Sequence, residues 1–194
     1  MVAGSILPVT IHNDKLYFLF GKESPMEDSA KGWSDFGGRV DPGETPYIAA
    51  LREGGEEMTG FLGDDTALRK RIKKNGGTYN LEHNKYHVHI FYLPYDENLP
   101  KYYNQNHAFL WERMDKTVLS ETKLFEKIEI DWFAANQLKK RKPEFREFYQ
   151  EIVDLFIEKE AEIHQFILKK SKHSSTKITG THNRTKKHSS NKNK

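Results

Sequence analysis

Cysteine is absent from all 194 residues, which excludes disulfides, thiol catalysis and zinc sites built on thiolates. Also missing is any apolar run of about 18 residues, so no transmembrane helix is expected. The opening residues, MVAGSILPVTIHND, set no positive region ahead of their short apolar stretch, so no signal peptide is expected. An intracellular, cytoplasmic protein that avoids the membrane is the simplest reading. Acidic side chains are missing from the whole of the last 24 residues. Residues 171–194 carry seven Lys/Arg and no Asp/Glu, which leaves 24 basic against 28 acidic side chains in the first 170, a body near −4 beneath a net charge of +3. That tail is rich in Ser, Thr, Asn and Lys and has too little apolar surface to fold by itself, so disorder is expected over 171–194. It reads as a solvated terminus or as an arm for RNA or another polyanion, which such an arm binds by releasing counterions.

What is present indicates a globular protein: 36% hydrophobic and 12% aromatic residues. SILPVTIHNDKLYFLFGKE reads as a β-hairpin about His-Asn-Asp-Lys. WSDFGGRV reads as a short strand running into glycines, YHVHIFYLPY (86–95) as a strand bounded by Pro94, and FEKIEIDWF (125–133) as a strand leading to a short helix at AANQL. NHAFLWERMD reads as a short helix. From Pro143 to about Lys170, Phe145, Phe148, Ile152, Leu155, Phe156, Ile163, Phe166 and Ile167 recur at three- and four-residue steps, which predicts one long amphipathic helix. Strands and helices mix without βαβ regularity, so the fold class is α+β, a mixed sheet flanked by helices.

The stretch GGRVDPGETPYIAALREGGEEMTG (37–60) holds the chemistry. Thr45 can cap a helix with Pro46 in its first turn, running to about Thr59 and stopping at Gly60. At about 100° per residue, Glu53, Glu56 and Glu57 share an arc of about 100° on that helix. Like charges so placed repel by a few tenths of a kcal/mol, and Gly54 and Gly55 cost roughly 1 kcal/mol each in a helix interior. A solvated acidic face does not require those glycines. A hard divalent cation bound by clustered carboxylates, with the glycines allowing close packing, accounts for both, and such cations also bind substrate phosphates. Arg52, one turn before Glu56, can reach Glu44 and hold the preceding loop on the helix.

Gly38, five residues, Glu44, seven residues, then Arg52-Glu53-x-x-Glu56-Glu57 resemble the Nudix box, G-x5-E-x7-R-E-U-x-E-E-x-G-U with U aliphatic. There are three departures. Gly54 replaces the aliphatic residue, Phe36-Gly37-Gly38 replaces the usual Pro-Gly-Gly entry, and the last glycine arrives late, at Gly60, which reads as one extra residue at the helix C-terminus. The REGGEEMTGFLG variant also resembles boxes of large DNA viruses.

The resemblance implies a Nudix fold over 1–140, with 143–170 an added helix packed on it. It implies a hydrolase of nucleoside diphosphates linked to another moiety, dependent on Mg²⁺ or Mn²⁺. By position, Glu53, Glu56 and Glu57 would be metal ligands and catalytic, with the Gly38 carbonyl a further ligand and Glu44 and Arg52 a structural pair. The general base would be one of the helix glutamates or a carboxylate before the last strand, Glu121 ahead of Glu126. His87 and His89 share one face of a strand but lack an evident third ligand, so they read as a core or substrate-facing pair. Alternative functions are hydrolysis of capped RNA (favoured by the basic tail), hydrolysis of diphosphoinositol phosphates, and a Nudix-shaped module that binds RNA or nucleotide without cleaving it. The partner implied is a small nucleotide, and the family's frequent dimerisation implies a homodimer.

Overall fold

Two hairpins of the same kind organise the sheet of the computed structural model, which describes the backbone of residues 1–25, 31–121 and 126–185. Strand β1 (Ala3–His12) returns as β2 (Lys15–Glu23) through Asn13 and Asp14, both at positive φ (48° and 59°). Strand β5 (Thr78–His83) returns as β6 (Tyr86–Tyr92) through Asn84 and Lys85, at 48° and 68°. Two-residue loops with both residues at positive φ match the right-handed twist of the strands they join. The sequence reading finds the first hairpin and misses the second. The β5 segment TYNLEH is only half buried and polar at alternate positions, and its signal is the repeated His-Asn turn rather than hydrophobicity.

Strand β1 lies at the centre. It pairs parallel with β6 along one edge, and on the other with β4 (Phe36–Arg39) over Ala3–Ile6 and then β2 over Val9–His12. Pro8, which has no N–H for a ladder, falls where neither β4 nor β2 is in register. Strands β3 (Trp33–Ser34) and β7 (Lys127–Ala134) pair antiparallel with β2.

Side chains alternate to two cores, one on each face of the sheet. Phe18 and Phe20 join Phe133, Phe145, Tyr149, Phe156, Ile163 and Ile167 on one side. Leu19 joins Ile6, Phe36, Leu51, Leu68 and Tyr103 on the other. The second face carries α1 (Pro46–Glu57), α2 (Asp65–Lys74) and α3 (Asn98–Arg113), and α4 (Lys116–Glu121) follows. The first carries α5 (Leu138–Arg141), α6 (Gln150–Glu158) and α7 (Glu160–Thr185). The result is the expected α+β mixed sheet between helices. Each fully buried Phe or Leu in these cores contributes about 1.5–3 kcal/mol.

The long helix expected from Pro143 does not start there. Lys142–Glu144 and Glu147–Tyr149 are 3-10 turns, and between them Phe145 is extended (φ −83°, ψ 155°). The reason is tertiary. Phe145 bridges Trp33 in parallel, the Arg146 N–H donates to the Trp33 carbonyl at 3.1 Å, and the Phe145 ring fills the core. Helix begins only at Gln150 and is interrupted at Lys159. Helical backbone then continues to Thr185, beyond the Lys170 expected as its end, and residues 186–194 of the basic tail lie outside the described residues. Helices α2 and α3 exceed the sequence reading, which has no element over 65–74 and only a short helix at 106–115, whereas α3 starts eight residues earlier at Asn98 and ends at Arg113. Among the described residues, no helix is long and apolar enough to cross a membrane.

Candidate active site

Helix α1 starts as its sequence dictates. Thr45 is the N-cap, its Oγ1 accepting the Ile48 N–H at 3.3 Å, and Pro46 takes the first turn. Its end differs from expectation. The Gly60 N–H donates to the Gly55 carbonyl (3.1 Å) and the Thr59 N–H to the Glu56 carbonyl (2.8 Å), a Schellman closure with Thr59 in the left-handed position at φ 47°. No residue is inserted after the carboxylates. Thr59 stands where the box has glycine and takes glycine's conformation, with Gly60 a second positive-φ residue behind it (75°). A branched residue there is strained by about 1–2 kcal/mol, partly offset by the greater freedom of glycine in the unfolded chain. Thr59→Gly should therefore stabilise the fold by about 0.5–1 kcal/mol. Denaturant titration reads this, and an unchanged or lower midpoint contradicts the assignment of strain.

The two helix glycines are not equivalent. A Cβ on Gly54 would stand 2.4 Å from Ile6 Cδ1, so this glycine lets α1 lie close on β1. A Cβ on Gly55 would meet nothing nearer than the Asp65 nitrogen at 3.4 Å, an ordinary contact. Gly54→Ala should cost about 1–3 kcal/mol by overpacking. Gly55→Ala should gain up to about 1 kcal/mol through helix propensity. Thermal unfolding of the two variants decides, and the reverse order would remove close packing as the reason for Gly54.

A clamp at the helix entry is complete. Arg52 Nε and Nη2 donate to the two carboxylate oxygens of Glu44, each at 3.0 Å, and Nη2 also donates to the Arg39 carbonyl at 3.1 Å. Bidentate pairing of this kind fixes orientation as well as charge. The Arg52 guanidinium, with the Asp41 N–H, holds Glu44 down to about 2, while Arg52 is itself pushed up by Glu44. The third guanidinium nitrogen, Nη1, donates to Glu53 at 2.6 Å. Arg52 thereby ties the strand-to-helix loop to one of the three helix carboxylates.

Glu57 turns inward. Its Oε2 accepts the Gly37 N–H at 2.8 Å, its Oε1 lies 3.4 Å from Lys127 Nζ, and only 5% of the residue is exposed. Burial pushes its carboxyl well up, against the pull of Lys127. Lys127, 1% exposed, donates to Glu23 and, at 2.8 Å, to Ser34 Oγ. Burial would depress this ammonium, but Glu57 and Glu23 outweigh it and hold it up. Arg146, from the extended link before α6, closes the group on Glu23 at 2.8 Å. Tyr103 of α3 donates to the carbonyls of Glu57 (2.7 Å) and Lys127 (3.0 Å). Beside this group, Asp35 accepts from Ser5 Oγ (2.5 Å) and the Tyr86 hydroxyl (2.6 Å). Sequence reasoning misses Glu23, Asp35, Tyr103 and Lys127. The sequence carried no clear signal for Lys127, which shares the parity of Glu129 and Asp131 in its strand; a register shift opposite Lys22 and Glu23 precedes its burial.

The other site residues fall as follows. Gly38 lies against Glu53, whose carboxyl carbon would be 2.5 Å from a Cβ added there. Glu56 is half-buried on the same helix. The acidic face is therefore set beside the glycine strand, yet among the described residues no three His, Asp or Glu side chains converge as a ready-made metal cage. Glu53 is engaged by Arg52, and Glu57 by Gly37 and Lys127. The donors still suit a hard cation in kind: all are oxygens, and the missing Cβ at Gly38 opens its backbone to the Glu53 carboxylate. Glu126 adjoins Lys127 in the chain, and its charge adds to the upward push on Glu57. Glu121 ends α4, with its side chain outside the described residues. His89 is buried, its Nδ1 2.9 Å from Asn80 Oδ1, and burial pushes it down to about 4, so the ring is neutral at pH 7. His87 faces Glu82 at 3.6 Å.

The arrangement can gather oxygen donors around a phosphate-bound cation beside a glycine strand, with one carboxylate held in a desolvated charge network. The NUDIX domain family matches residues 4–156, most of the chain and past the expected boundary at 140, through most of α6. No curated protein is significantly similar in sequence. Among solved structures, a MutT protein from Methanosarcina mazei Go1 is similar at 15% identity and a TM-score of 0.43, covering 82% of this chain and 94% of its own. A C. elegans Ap4A hydrolase binary complex is similar at 19% identity and 0.38, covering 71% and 82%. With the box, the clamp and the family match over 4–156 together, the chain belongs to the Nudix family and is a Nudix-type pyrophosphohydrolase.

Proposed function

We propose that the protein hydrolyses the diphosphate bond of a nucleoside diphosphate linked to another moiety, using Mg²⁺ or Mn²⁺. Glu53, Glu56 and the Gly38 carbonyl are the proposed metal donors, and Glu57 joins them or acts as base. The observation that carries this reading is the contact of Glu53 with the Gly38 backbone, fixed from behind by the Arg52–Glu44 clamp. When bound, a divalent cation neutralises pyrophosphate charge and lowers the pKa of the attacking water. The chain's own residues do the rest. Arg52 orients Glu53, the Gly37 N–H and Lys127 orient Glu57, and Tyr103 ties the end of α1 to β7. Glu126, just before β7, is close enough to act electrostatically on Glu57, which supports it as an auxiliary base.

The test is product release from a panel of nucleoside diphosphate derivatives with Mg²⁺ or Mn²⁺, run on wild type and Glu57→Gln. Metal-dependent product that collapses in the variant supports the reading. Equal activity in both sinks the assignment of Glu57.

A further inference from the structure

Helix α2 carries LRKRIKK at 68–74, and its two faces differ sharply. Leu68 and Ile72 are buried against the α1 side of the sheet, whereas Arg69, Lys70, Arg71, Lys73 and Lys74 are exposed. None of these five makes an ion pair among the described residues, whereas Lys22 is matched to Glu129 and Arg141 to Glu144. Arg69 faces Lys73, and Lys70 faces Lys74, at i,i+4, a spacing at which like charges repel. The helix C-terminus rewards cations in its last turn, which accounts for Arg71, Lys73 and Lys74 but not for Arg69 and Lys70. The positive face continues past the helix. A Cβ on Gly76 would be 2.6 Å from Lys170 Cδ, so the Lys170 stem of α7 crosses the chain just beyond α2. At its other end α2 begins against the catalytic helix, with the Asp65 nitrogen nearest to Gly55.

We propose that this face carries the polynucleotide part of a substrate whose diphosphate end lies at the α1 carboxylates, so that the protein's large substrates are RNA chains bearing a 5′-linked nucleoside diphosphate. The inference rests on the pyrophosphohydrolase site proposed above. The five cations lie in the last six residues of α2, about 8 Å of helix, beyond Asp64 and Asp65 at the end nearest the site, and a row of like charges set away from the site matches a chain of phosphates better than a compact nucleotide. A lipid surface fits poorly, because interfacial helices insert an apolar face and that of α2 is already buried. An acidic protein fits poorly too, because protein interfaces centre on aromatic and large apolar residues, and α2 exposes nothing apolar larger than Ala67.

The experiment compares wild type with the triple variant Lys70→Gln/Lys73→Gln/Lys74→Gln, all three exposed and outside the site. Substrates are a capped RNA oligonucleotide and the corresponding cap dinucleotide, and binding of uncapped RNA is followed by anisotropy across a salt series. For three lost contacts to a single strand, the slope of log K against log salt should fall by about 2 and affinity at about 0.1 M salt by tenfold or more. KM for capped RNA should rise similarly, with kcat and dinucleotide kinetics unchanged. Unaltered RNA binding, or equal damage to both substrates, overturns the proposal. So does loss of binding to anionic-lipid vesicles with RNA affinity intact. A wild type inactive on both substrates but binding RNA with the α2-dependent slope would instead remove the hydrolytic reading and leave the surface standing.

Discussion

Lys127→Met is expected to destabilise the protein by about 3–5 kcal/mol, the usual cost of removing one member of a buried ion pair. Methionine preserves the packing of the aliphatic stem, which lies beneath Gly21 and Phe36, so the loss isolates the charge. What remains is Glu23 with Arg146 and Ser34, and Glu57 with the Gly37 N–H. Two acidic groups then share a desolvated region with one cation at its edge. For a chain of this size the change corresponds to a fall in Tm of roughly 6–20 °C. A second variant sharpens the reading. Lys127→Met/Glu57→Gln removes one charge of each sign and should recover part of the loss, because coupled neighbours are not additive. A single variant within about 1 kcal/mol of wild type would show that Arg146 alone neutralises the group.

Glu57→Gln is expected to keep the fold and lose activity by roughly 10²–10⁴-fold, the range for a positioned acid or base. The amide oxygen can still accept the Gly37 N–H, and Lys127 keeps Glu23 and Ser34. The unfolding midpoint should therefore stay near wild type while metal-dependent turnover collapses. The two variants form a contrast: one removes stability through a buried lysine, the other removes chemistry through the glutamate beside it. Retained turnover in Glu57→Gln, with the same metal dependence, would transfer the role to Glu53 and Glu56.

The carboxylate-bearing helix α1 was legible in the sequence because its signals are local. Thr45 caps it, Pro46 opens it, and three carboxylates share an arc that follows from helical pitch alone. The Glu44–Arg52 clamp was legible for the same reason, eight residues of separation bridged by one turn and a loop. The hairpin about Asn13–Asp14 and strands β6 and β7 announce themselves through alternation and turn residues.

Other features were settled only by the folded chain. Lys127, Glu23 and Arg146 meet across more than a hundred residues of sequence, and no periodicity reports such a meeting. The break at Phe145 is similar: its helical spacing is sound, but pairing with Trp33 and burial of its ring outweigh local propensity. At Thr59 the late position of the last glycine suggested an inserted residue, whereas the backbone keeps the closure and places threonine in glycine's conformation. The sequence by itself thus determined the carboxylate arc and capping of one helix and the α+β class, since both depend on near neighbours. The tertiary structure decided which carboxylate is buried, which lysine answers it and which cations remain on the surface, because desolvation and charge pairing depend on groups brought together from distant parts of the chain.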